Sequence, residues 1–117
     1  MTMKIPIIKY NDKFLDYISW TINIGGVTLY PFVVLREKYK DAVVIKTHES
    51  IHIKQQQELL VLPFYVLYLL EWLLKLPKYG KRAYYNISFE REAYSNERKK
   101  DYPQTRKNYS WVKRIFK

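Results

Sequence analysis

At 117 residues the chain has room for one compact domain and not for two, so its function must sit on a single core or at its surface. A hydrophobic share of 48%, with twelve Tyr and three Trp, excludes an unfolded polar tail. The 21 Lys and Arg against 11 Asp and Glu give a formal charge of +10 that favours anionic partners, and the lack of cysteine excludes a thiolate nucleophile, a disulfide framework and a Cys-based zinc site.

The opening stretch MTMKIPIIKYNDKFLDY has no continuous apolar core followed by a small-residue cleavage site, so no secretory signal is read there. The expected location is the cytoplasm or the cytoplasmic face of a membrane. Within residues 1 to 20, Phe14, Leu15 and Ile18 would share one face of a short helix. Gly25 and Gly26 then mark a turn. Val27 to Leu35 is rich in β-branched and aromatic residues, as a strand would be, and Pro31 within it points to an edge strand or a bulge because proline cannot donate to a ladder.

Asp41 is placed to cap a helix starting at Ala42. On that helix Val44, His48, Ile51, His52 and Gln55 fall at i, i+4, i+7, i+8 and i+11, one inward stripe. Residues 59 to 76, LLVLPFYVLYLLEWLLKL, are the most hydrophobic part of the chain. A membrane-spanning helix needs about 20 predominantly apolar residues, and this stretch falls short and carries Glu71 and Lys75. It reads either as a buried core helix kinked near Pro63 or as a membrane-embedded or interfacial helix, with Lys75, Lys78, Lys81 and Arg82 gathered at its end. Pro77 and Gly80 are expected to terminate it.

A third helix is predicted over 85–100, capped by Asn86 or Ser88, with Glu90, Ala93, Tyr94 and Glu97 on one face. The tail 98–117 is basic, with Tyr102, Tyr109, Trp111 and Phe116 interleaved. The expected architecture is a single mostly helical α+β domain over 1–117. In it a short β-hairpin or edge strand precedes three helices, with the histidines on the first of these and a partner carboxylate on the last.

The chain's two histidines stand in the stretch His48-Glu49-Ser50-Ile51-His52. On a helix, residues four apart sit one turn above each other, so both imidazoles can point at one ion at about 2.0–2.1 Å. Glu49, one residue step off that axis, would miss the ion and reach a water bound to it, the position of a general base in metal-assisted hydrolysis. The plain alternative is a helix bearing two core or surface histidines without metal.

A catalytic zinc site commonly takes three protein ligands, and with no third His and no Cys the last must be a carboxylate. Glu58 lies six residues past His52, on another face. Glu71, in its apolar run, would be a buried acid that orients a ligand rather than a ligand itself. Glu90 shares a stripe with small Ala93, which would let its helix approach the histidine helix closely, and is the preferred third ligand. Glu92 is the second choice, its alternative role being a solvated charge paired with Arg91 or a lysine.

Together, THESIHIKQQQEL and, after a gap, SFEREAY resemble the gluzincin metallopeptidases, in which HExxH on one helix is completed by a Glu in an E-x-x-A-D type motif on a later helix. The likeness is to minimal gluzincins and to the membrane-associated branch that includes prenyl-protein and heat-shock membrane proteases, and it covers roughly residues 25–97. It implies zinc as cofactor, His48, His52 and Glu90 as ligands and Glu49 as the base. Tyr94 stands where that pattern often has Asp, a residue that orients a ligand histidine, and Tyr brings a hydrogen bond without the charge. The likeness also implies that the strand before the HExxH helix, VTLYPFVVL, lies along the cleft and binds an extended peptide by strand addition.

The function expected is therefore a zinc-dependent peptidase or peptidase-like hydrolase acting on a peptide or protein. The alternative is a membrane-associated structural or accessory subunit whose metal site is degenerate or purely structural, with 59–76 and the basic tail facing a membrane surface or a membrane-protein partner. Nucleic acid held by the basic, aromatic tail ranks below both, since a charge run more often faces solvent or lipid.

Overall fold

The computed structural model describes residues 7–18 and 25–116. It is a mostly helical α+β fold with one three-stranded sheet. Strand β1 (Ile7–Tyr10) leads into helix α1 (Asp12–Ile18), whose start is capped by Asn11 Oδ1 accepting from Phe14 N at 3.0 Å. Strands β2 (Gly26–Leu29) and β3 (Phe32–Leu35) follow as a tight antiparallel hairpin, Leu29 opposite Phe32. β1 adds to β3 in parallel, giving the order β1-β3-β2. Of the apolar positions predicted to share a face of α1, Leu15 is fully buried and Phe14 is exposed.

Pro31 is not a bulge in one long strand. It lies in the turn of the hairpin, after a cis Tyr30–Pro31 peptide, where no ladder donor is required of it. β1 was not anticipated, because its partner lies 25 residues away and four residues carry too little alternation to read.

Helix α2 (Val43–Glu58) packs its buried side against β2 and against the later helices. His48, Ile51, His52 and Gln55 are buried, as the stripe predicts, and Val44 is half-buried. The helix begins one residue later than expected, with Ala42 at the cap position and no side-chain cap bond, so Asp41 does not cap it.

After a break at Leu59–Val61, where Leu60 and Val61 take positive φ, helix α3 (Leu62–Tyr79) sets off at 113° to α2. Pro63 sits in its first turn, where the missing N–H costs nothing, so it starts the helix rather than kinking it. Pro77 lies inside the helix, which ends only at Gly80, with φ 55°. Phe64 is the one buried residue of α3, so this is not the core helix its composition allowed. Among the described residues no single helix is long and apolar enough to cross a membrane.

Helix α4 (Ser88–Asn96) is shorter than the predicted 85–100 span and is capped neither by Asn86 nor by Ser88. Its first residue is held from α3: the Glu71 carboxylate accepts from Ser88 N at 2.5 Å and from Ser88 Oγ at 2.6 Å. Phe89 and Ile87 pack with Phe64 and Trp111 in one core cluster, while Val33, Leu35 and Ile53 form another between sheet and α2.

The basic segment after α4 folds back, through the short helix α5 (Tyr102–Thr105), onto α2 and α4. The Arg106 side chain, 2% exposed, forks onto Glu58 (3.0 and 3.2 Å) and onto Glu92 (2.6 and 2.9 Å). Glu58 also accepts from Trp111 Nε1 at 2.9 Å. Burial works against the Arg106 charge and the two carboxylates outweigh it, holding its pKa above the ordinary value. This stretch is therefore bound into the fold rather than presented whole as a charged face.

Candidate metal centre

α2 delivers the two histidines on successive turns, with ring centroids 4.9 Å apart and an interplanar angle of 76°. Their Nε2 atoms stand 3.2 Å apart. α4 brings Glu90 between them: its Oε1 lies 2.9 Å from His48 Nε2 and 3.0 Å from His52 Nε2. All three residues are buried, and His48, His52 and Glu90 form a group that could hold a metal ion. A tetrahedral ion bound at about 2.0–2.1 Å spaces its ligand atoms roughly 3.3 Å apart. The three atoms here are within a few tenths of an ångström of that spacing.

The other nitrogen of each ring decides what Nε2 offers. His52 Nδ1 lies 2.7 Å from Gln55 Oε1, and His48 Nδ1 lies 2.8 Å from Glu97 Oε1. The Gln55 amide is oriented by its own nitrogen, which donates to the Phe89 carbonyl and to Glu92 Oε1, both at 3.0 Å. Both Nδ1 atoms thus face acceptors and carry the proton. That tautomer leaves an Nε2 lone pair for an ion when the ring is neutral.

Without an ion the three groups hold each other by charge. Burial lowers the His52 pKa, but the charge and hydrogen bond of Glu90, with lesser help from Glu49 and Gln55, outweigh it and raise it to about 9. At His48 burial and the His52 charge lower the pKa, and Glu90 with Glu49 raises it further than they lower it. For Glu90 burial favours the neutral acid, and the two imidazoles overcome this to hold its carboxyl well below the usual range. Tyr68, pushed far up by burial first and by Glu90 second, stays neutral and donates to Glu90 Oε2 at 2.6 Å.

Glu49 is buried on α2 and stands outside the three-residue group. Thr28 of β2 donates from its hydroxyl to Glu49 Oε2 at 2.6 Å. Both Glu49 and Thr28 line a cavity of about 310 Å³ that also receives His52, Glu90, Tyr68 and Tyr84. β2 forms one wall of this cavity, from Gly26 to Leu29. The Thr28 carbonyl on that strand already accepts from Gln56 Nε2 at 3.3 Å and Tyr65 Oη at 3.4 Å.

The structure places the remaining predicted residues differently. Glu71 bonds to neither histidine; it is spent on Ser88 and on Lys75 Nζ at 2.7 Å, and so fixes the start of the helix that carries Glu90. Tyr94 packs edge-on against His48, with ring centroids 4.4 Å apart. It is Glu97, three residues on from Tyr94, whose carboxylate meets His48 Nδ1. Glu92 is fully buried, bound by Arg106, Gln55 and Tyr102, and is neither a ligand nor a solvated charge. In the sequence Glu97 and Gln55 stand out only as members of helical faces; their spacing, seven from Glu90 and three from His52, is the signal that marks them.

Comparison with models of known protein families, with characterised proteins and with solved structures finds no match.

Proposed function

We propose that the chain is a zinc-dependent, gluzincin-like peptidase or peptidase-like hydrolase, with His48, His52 and Glu90 as ligands and Glu49 as general base. The observation that carries this reading is the meeting of two imidazole Nε2 atoms and one Glu90 oxygen, within 3.2 Å of one another, beside a cavity that Glu49 also lines. Two imidazoles and one carboxylate form a donor set suited to zinc with a position left open. Bound there, zinc supplies a Lewis acid and brings the pKa of its water toward 7.

The chain's own residues do the rest. Glu49, with one oxygen held by Thr28, takes the proton of the attacking water and returns it to the leaving amine. Glu97 and Gln55 keep both imidazoles in the ligand tautomer, and Tyr68 steadies Glu90. An extended peptide laid against β2 would pass Glu49, pairing with groups other than the occupied Thr28 carbonyl. The charged partner of His48 supports a working centre over a degenerate one, because it supplies what Tyr94 lacks.

Zinc content and hydrolysis of a fluorogenic peptide library test the reading together. His48→Ala should lose both, and Glu49→Gln should keep zinc and lose turnover. A folded chain that takes up no zinc at micromolar metal overturns it. Turnover in the wild type that Glu49→Gln leaves unchanged would remove Glu49 from the mechanism.

A further inference from the structure

Among the described residues nothing covers the outer face of α3. Leu62, Val66, Leu69, Leu70, Leu73 and Leu74 fall at i, i+4, i+7, i+8, i+11 and i+12, one stripe of the helix, and each is between 49% and 71% exposed. The stripe runs roughly 18 Å along the helix at 1.5 Å per residue. No charge interrupts it. Glu71 and Lys75 project from the opposite side, where they bind each other, Ser88 and the Asn86 carbonyl. Just past the stripe Lys78, Lys81 and Arg82 are all exposed. A contiguous apolar strip of this length is more than a folded chain ordinarily leaves bare, and such strips mark contact surfaces.

We infer that α3 lies in the plane of an anionic lipid surface, its leucine stripe sunk at the boundary of headgroups and acyl chains and its basic end among the headgroups. Charge selects this occupant. Two copies of a chain with a formal charge of +10 repel each other, whereas an anionic leaflet attracts the same charge. The orientation follows from length and pattern: no single described helix meets the requirements for crossing a bilayer, and an amphipathic helix with a basic flank lies in the interface instead. The inner side of α3, through Phe64, Tyr65 and Tyr68, lines the cavity. The lipid surface and the cavity are therefore separated by about one helix diameter, roughly 10 Å. Docking does not depend on the metal or on turnover.

Flotation of the full chain with phosphatidylcholine vesicles, with and without about one third phosphatidylglycerol, tests the inference. The chain should float with the anionic vesicles, more weakly as salt is raised, and little with the neutral ones. Leu70→Gln with Leu73→Gln should lower partitioning on the order of tenfold or more while the far-ultraviolet circular dichroism stays that of the wild type, since both side chains point outward. Lys78→Glu with Lys81→Glu should weaken the preference for anionic lipid, and a preference left unchanged removes the basic end of α3 from the inference. Failure to float with anionic vesicles, or equal flotation of the leucine variant, overturns the inference. So does sedimentation showing a dimer that the leucine variant dissolves and vesicles leave intact, which would assign the stripe to a second copy.

Discussion

Glu97 Oε1 stands 2.8 Å from His48 Nδ1, on the far side of the imidazole from Glu90. The ring is thus gripped at both nitrogens by carboxylates seven residues apart, Glu90 in the first turn of α4 and Glu97 just past its end. The first would share a bound ion with the ring; the other sets which nitrogen keeps its proton. Removing the second should therefore cost affinity without costing the fold. Glu97→Ala is expected to weaken zinc binding about 10–100-fold, and Glu97→Gln less, because an amide oxygen still accepts the Nδ1 proton as Gln55 does for His52. Competition with a chromophoric chelator measures both.

Thr28 holds Glu49 through a hydrogen bond of 2.6 Å and is not among the three residues that could take an ion. Thr28→Val keeps the volume and removes the hydroxyl, so zinc should remain stoichiometric while peptide hydrolysis falls about tenfold or more for want of an oriented base. Metal analysis and steady-state kinetics on the same preparation separate the two quantities.

The metal-free chain should show a definite pH profile. His52 has a folded pKa of about 9 against an ordinary 6.5. A raised histidine pKa means that the His52–Glu90 pair contributes its full stability below about pH 6.5 and loses it as pH rises through about 9. Seen from Glu90, whose pKa is depressed, the same contribution is present above the ordinary carboxylate range and is lost as acid protonates it. Chelator-treated protein should thus melt highest near pH 5–6, with the melting temperature falling between pH 6.5 and 9. If zinc binds there as proposed, it must displace the same protons, so its affinity should climb over the upper window.

Arg106 is a fork driven into two buried acids. Arg106→Met leaves Glu58 and Glu92 without their shared counter-charge and should destabilise the chain by about 3–5 kcal/mol. Urea unfolding reads this directly. Lys107→Ala, an exposed neighbour, should change stability by no more than about 0.5 kcal/mol.

Glu71→Ala removes the carboxylate that receives Ser88 N and Oγ and leaves Lys75 facing carbonyl oxygens alone. The loss of the helix cap costs about 1–2 kcal/mol. Because α4 carries Glu90, zinc affinity should fall as well, though Glu71 bonds to neither histidine.

The parts of this arrangement that local spacing governs were legible in the sequence. His48 and His52 four apart on a helix must share a face, and Glu90 with Ala93 must share another, so their approach followed from periodicity and the small size of Ala93. What escaped was set by partners distant in the chain. β1 exists because β3 pairs with it, and Pro31 turns the chain because the strands on either side of it zip together. Glu71 was placed near the ligands on account of its apolar surroundings, whereas those surroundings bring it to a helix start. Arg106 looked like one cation in a basic tail; only the fold reveals that Glu58 and Glu92 wait for it. The apolar run 59–76 could not be assigned to core or to a membrane-facing surface by composition, since leucine suits a protein interior and a lipid environment alike.

Tyr68 and Leu69 are consecutive on one stiff rod, one touching Glu90 and the other looking outward. Tyr68 lies six residues, roughly 9 Å, along the axis from the hinge-like break before Leu62. A swing of the rod by about 5° would carry the phenol oxygen by roughly 0.8 Å over that lever arm, comparable to the difference between a firm hydrogen bond and none. A displacement of α3 at its leucine face would thus reach the Glu90 oxygen that Tyr68 holds.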